Sequence, residues 1–135
     1  MNYPILIREI ADKSYSLSAV DLAGCSVKAN SIDDGLNQMR KVLGEHLEIL
    51  AEYGENIPNA KLIDYYMKQN DNCTWALLDI DIIPYMGKSQ KINVTLPELL
   101  IKKIDDRVSK SSQHKTRSGF IASVCLKELS NRDNN

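Results

Sequence analysis

Cysteine is scarce in this chain and scattered: Cys25, Cys73 and Cys125 are an odd number with no paired spacing. That excludes a disulfide framework, offers no zinc-binding pattern, and predicts the reduced thiols of a cytoplasmic protein. Histidine is scarcer still. His46 and His114 stand beside no other ligand type, so both read as surface residues. No apolar run approaches the length of a membrane span. The opening residues Met1, Asn2, Tyr3 and Pro4 lack a basic stretch followed by an apolar one, so no signal peptide is expected. There is no Ser/His/Asp or Cys/His arrangement and no glycine-rich phosphate loop, which leaves the common catalytic classes without support. What remains is an ordinary globular composition, 43% hydrophobic and 26% charged, over 135 residues. That length fits one domain or two small ones and argues against wholesale disorder.

The net charge of −1 hides an asymmetry. Residues 88–135 hold ten basic and five acidic residues, whereas residues 1–87 hold seven and thirteen. A basic C-terminal third beside an acidic remainder is what a nucleic-acid module joined to something else would have, and the acidic part suits a basic protein partner.

Within the basic third, Ile92, Val94 and Leu96 alternate with Lys91, Asn93 and Thr95, the period-two pattern of a strand with one buried face. Pro97 stops that strand and suits the first turn of a helix. The helix expected over 98–108 carries Leu99, Leu100, Ile101, Ile104 and Val108 on its apolar side. A polar loop over 109–115 follows. Thr116 is then placed to cap a second helix with Phe120, Ile121, Val124, Cys125 and Leu129 on one face. Strand, helix, loop and helix are too little chain for a monomeric core. They make sense as half of an intertwined dimer whose two strands pair antiparallel.

That order resembles a ribbon-helix-helix module. The resemblance implies that the paired strands enter a DNA major groove with Lys91, Asn93 and Thr95 toward the base edges, where lysine suits guanine and asparagine suits adenine. It also implies a phosphate contact at the start of the second helix, by Lys115, Thr116, Arg117 and Ser118. The alternative is an amphipathic segment packed on the rest of the chain.

The acidic part reads as strands over 3–10, 15–22 and 25–29, with turns at 11–14 and Gly24. Ser31 then caps a helix, with Asp34 placed as in a capping box. Ile32, Leu36, Met39, Leu43, Leu47 and Leu50 form its core face, and Gly54 ends it. A short helix over 61–68, a turn at 70–72 and an apolar strand over 74–83 complete an α+β fold, a small antiparallel sheet with one long helix. The expected domains are 1–85, a linker over 86–89, a DNA-binding module over 90–130, and a disordered tail over 131–135.

Tyr3 and Pro4, the run from Val20 to Cys25, the helix opened by Ser31, Ile57 and Pro58, and the run Leu78, Asp79, Ile80, Asp81 ahead of Lys88 and Ser89 occur in an order that resembles the HicB family. The likeness covers residue 1 to about residue 129. It implies a partial RNase H-like domain followed by the DNA-binding module. It also implies an antitoxin that silences HicA, a small basic RNA-cleaving toxin, and represses its own operon. Homodimerisation through the C-terminal strand is expected, with a higher oligomer through the N-terminal domains as an extension. Glu45, Glu48, Glu52 and Glu55 on the long helix are candidate toxin contacts, against the alternative of a solvated helix face.

Two other readings compete. Asp79 and Asp81, two apart on a strand, could share a divalent metal with Asp21, as nucleases related to RNase H require. The HicB likeness implies instead an inactive copy, with no enzyme activity, no cofactor and no metal. The second competitor is a dimeric ribbon-helix-helix repressor whose N-terminal domain senses a small ligand.

Overall fold

The computed structural model describes residues 1–69 and 73–133, the last three by backbone alone. The turn expected at Asn70, Asp71 and Asn72 lies outside the described residues, as do the last two residues of the expected tail. Residues 131–133 of that tail are helical instead, continuing the final helix to Asp133. The chain divides into two compact units, Met1–Gly87 and Lys88–Asp133.

The first unit is an antiparallel sheet with a long helix on one face. Strands β1 (Asn2–Ala11), β2 (Ser14–Ala19), β3 (Ser26–Ala29) and β4 (Thr74–Asp79) lie in the order β3-β2-β1-β4. The register sets Ile5 opposite Ala19 on one side and Ala76 on the other, and Tyr3 opposite Leu78. Tyr3, Ile5, Ile7, Leu17, Ala19 and Leu78 therefore share the buried face. Helix α1 (Ile32–Glu52) covers that face with Gly35, Met39, Leu43 and Leu47. Each fully buried Leu or Met contributes roughly 1.5–3 kcal/mol. Gly35 permits the closest approach: a Cβ there would stand 2.4 Å from Leu17 Cδ1.

Local chemistry fixes the ends of α1. The Ser31 hydroxyl accepts from the Asp34 N–H at 3.1 Å. At the other end Gly54 takes a left-handed φ of +66°. Its N–H donates to the Ala51 carbonyl at 3.1 Å, and the Glu55 N–H donates to the Leu50 carbonyl at 2.9 Å. This is the Schellman closure that glycine allows.

Two strands are shorter than their alternation implied. Strand β2 ends at Ala19, because residues 20–25 fold into a turn closed by Leu22 N–H to Ala19 O and Ala19 N–H to Cys25 O. Strand β4 ends at Asp79, although Ile80 and Ile82 are buried beyond it. Burial without a neighbouring strand gives no ladder, which is why the apolar run outlasts the strand. A 3₁₀ turn, Ile83–Tyr85, packs on α1 beside Gly44. The short helix α2 (Ile63–Met67) lies against β4, where Tyr66 stacks on Trp75 at 5.9 Å between ring centroids.

The second unit holds α3 (Glu98–Lys110) and α4 (Arg117–Asp133). Pro97 is the cap residue of α3, one position ahead of its first turn. Thr116 caps α4 as expected, its hydroxyl accepting from the Gly119 N–H at 3.0 Å. Residues 88–97 form no ladder within the chain. The strand read there from alternation is thus absent from a single copy, which supplies no neighbour to pair with it.

Candidate functional site

In the second unit, Ile92 is 79% exposed and Val94 65%, values expected of charged residues and not of an apolar strand face. Lys91, Asn93 and Thr95 are exposed beside them. Ile104 is the single buried side chain among the described residues of this unit. Leu96, Leu100, Ile104, Phe120, Ile121, Val124 and Cys125 line an apolar hollow of about 220 Å³ between α3 and α4. His114 is part of this wall's surroundings and not an isolated surface residue, standing edge-on to Phe120 at 5.7 Å.

At the start of α4, Lys115, Thr116, Arg117 and Ser118 are all exposed, next to N–H groups that no helix carbonyl takes. Arg117 is not a loose side chain. Its Nε donates to Asp105 Oδ1 at 3.0 Å and its Nη2 to Asp105 Oδ2 at 2.8 Å, a forked pair across the α3–α4 turn. That hydrogen-bonded guanidinium holds the Asp105 carboxyl below its usual range. Asp105 was not among the residues singled out from sequence. Its partner lies twelve positions away on another helix, and no periodicity links the two.

On α1, Glu45, Glu48 and Glu52 are exposed. Glu55 is exposed but lies past the helix end, because the Gly54 turn has already redirected the chain. Among the described residues none of these four carboxylates forms an ion pair. The last turn of α1 has no basic residue, so acidic groups crowd the negative end of the helix, where they are unfavourable. Ile49 at 54% and Tyr53 at 77% exposure lie in the same stripe at a spacing of four. Sequence periodicity identified the opposite, buried face and left these two unread.

The three carboxylates of the nuclease reading do not converge. Asp79 faces the amino group of Met1 at 3.3 Å. Asp81 lies beyond β4 and accepts from the Ile83 N–H at 3.1 Å. Asp21 sits in the turn after β2, accepting from the Tyr66 hydroxyl and from the Lys61 N–H. Burial, then that bond to Asp21, holds the Tyr66 proton on and pushes its pKa above the usual tyrosine range. Among the described residues no group of three or more His, Cys, Asp or Glu could hold a metal ion.

Comparison with known proteins places these surfaces in a family context. A family model described as the HicB_like antitoxin of bacterial toxin-antitoxin systems matches residues 3–125. An uncharacterised 14.9 kDa protein of the rep-hol intergenic region in Haemophilus phage HP1 is 29% identical over 131 residues, covering 96% of this chain and 98% of that protein. The crystal structure of the Burkholderia pseudomallei antitoxin HicB is similar with a TM-score of 0.70 and 29% identity, over 96% of this chain and 98% of the other. The antitoxin HicB3 crystal structure is similar in fold, with a TM-score of 0.57 and 24% identity over 96% and 98% of the two chains. No helix among the described residues is long and apolar enough to cross a membrane.

Proposed function

The chain belongs to the HicB-like antitoxin family of bacterial toxin-antitoxin systems, and from that premise we propose a division of labour between its two units. The first unit binds and neutralises a small, basic, RNA-cleaving toxin of the HicA type. The second pairs with another copy into a ribbon-helix-helix module, binds operator DNA and represses the operon that encodes both proteins. These targets put the protein in the cytoplasm.

One observation carries the reading of the second unit: among its described residues only Ile104 is buried, while Ile92, Val94, Leu99, Leu100, Val124 and Leu129 lie open. Apolar groups left in water forgo about 25 cal/mol per Å² of burial, so the unit is incomplete alone. Two antiparallel copies of residues 91–96 would turn Ile92, Val94 and Leu96 inward over both hollows. Lys91, Asn93 and Thr95 would then project together on the outer side, at a width that fits a major groove. For the first unit, the support is the unpaired acidic stripe of α1 with Ile49 and Tyr53 exposed within it. Carboxylates that oppose their own helix dipole gain most from a cationic partner. The separation of Asp21, Asp79 and Asp81 favours an inactive, partial RNase H-like scaffold over a nuclease.

Two measurements test the proposal. The purified chain should retard a duplex taken from directly upstream of its own reading frame, with affinity falling steeply as salt rises. Coexpression should cancel the toxicity of a basic protein encoded next to it. An unshifted duplex would contradict the repressor role, and a neighbour that remains toxic would contradict the antitoxin role.

A further inference from the structure

The forked pair between Arg117 and Asp105 has a feature that simple stabilisation does not explain. Arg117 is the first residue of α4, at the positive end of the helix dipole, and the first turn of α4 contains no acidic residue. A cation is unfavourable there and an anion favourable. Asp105 reaches across from α3 to offset the charge. An uncharged residue at 117 would meet the same helix end without that compensation, so a charge retained at this position needs another use.

The geometry supplies one. A guanidinium has five N–H donors in a fixed plane. Asp105 takes two of them through Nε and Nη2. The second Nη2 hydrogen and one Nη1 hydrogen form a second, adjacent edge that Asp105 does not use, and the side chain is 54% exposed. Phosphate matches such an edge with two parallel bonds. The carboxylate therefore leaves the anion-binding edge available while fixing its direction.

Resting on the DNA-binding reading above, we propose that Asp105 is a positioning residue for that function. It orients Arg117 toward one phosphate and withholds its charge from general attraction to DNA. An arginine already held in place loses less rotamer freedom when the phosphate arrives in the right register. Its neighbouring negative charge lowers the electrostatic gain on any DNA that does not offer a phosphate at that point. Asp105 thus favours operator over random sequence without touching a base.

The test compares binding of the full-length chain to its upstream duplex and to a random-sequence duplex across a range of salt. Asp105→Asn keeps the shape and removes the charge. Asp106→Asn is the control: it makes the same change of charge one residue away, where the carboxylate pairs with Lys110 at 3.2 Å instead. Asp105→Asn should tighten random-duplex binding and lower the operator-to-random ratio by roughly three- to tenfold, whereas Asp106→Asn should leave the ratio near that of the parent. Arg117→Lys, which keeps the charge and cannot fork, should lower the ratio as well. Equal shifts from both Asn variants, or an unchanged ratio in Asp105→Asn, would overturn the proposal while DNA binding stood. A parent chain that retards neither duplex would overturn both.

Discussion

Tyr3 carries a hydroxyl into the core, fully buried, where it donates to the Pro58 carbonyl oxygen at 2.9 Å. Burial first, and the Asp21 charge second, push its ionisation from 10.0 up to about 12. The folded state thus holds the phenolic proton more tightly than the unfolded chain does. The associated stability is complete below pH 10 and is lost as the pH rises toward 12. Tyr3→Phe should cost on the order of 1 kcal/mol at neutral pH through the missing hydrogen bond. The gap between parent and variant should close above pH 10, where Tyr3 ionises in the unfolded parent but stays protonated in the folded one, and phenylalanine does neither. Denaturant titrations on both sides of pH 10 check this, and a gap that stays constant would contradict it. Residue-scale chemistry of this kind was poorly legible in the sequence. Asp21 read as a strand residue and a possible metal ligand, yet its contacts with Tyr66 and Lys61 depend on a turn that ends β2 early. The fork between Asp105 and Arg117 was hidden for the same reason, since both pairings cross between elements.

At the scale of elements, alternation and helical spacing located the sheet and the long helix well. The spacing of Tyr3, Ile5 and Ile7 in β1, buried together with Pro4, and the run Met39, Leu43, Leu47 in α1 are strong local signals. Element ends were legible where a cap enforces them, as at Ser31, Gly54 and Thr116. They were not legible at Ala19, where a turn takes the chain out of the sheet, or at Asp79, where the pairing with β1 runs out. The exposed stripe of α1 gives a prediction at this scale. Reversing Glu45, Glu48, Glu52 and Glu55 to lysine should abolish toxin neutralisation. Thermal stability should hold or rise, because basic groups near a helix C-terminus are each worth roughly 0.3–1 kcal/mol. Coexpression toxicity and a melting curve read the two effects separately. Full neutralisation by the reversed variant would remove these residues from the toxin interface.

The whole molecule joins a unit with a closed core to one without. In the first, the sheet face and α1 bury each other's apolar side chains. In the second, Ile92, Val94, Leu99 and Leu129 stay open, and the segment read as a strand has no ladder within the chain. Alternation revealed the strand's preference, but a single sequence cannot display a partner strand contributed by another copy. If pairing completes the second unit, its stability should depend on protein concentration. Sedimentation of the full chain beside a Val94→Glu variant tests this most directly. The account predicts a dimer or an even-numbered higher oligomer for the parent, and a smaller species for the variant with the first unit still folded. A parent that stays monomeric, or a variant that assembles as the parent does, would contradict it.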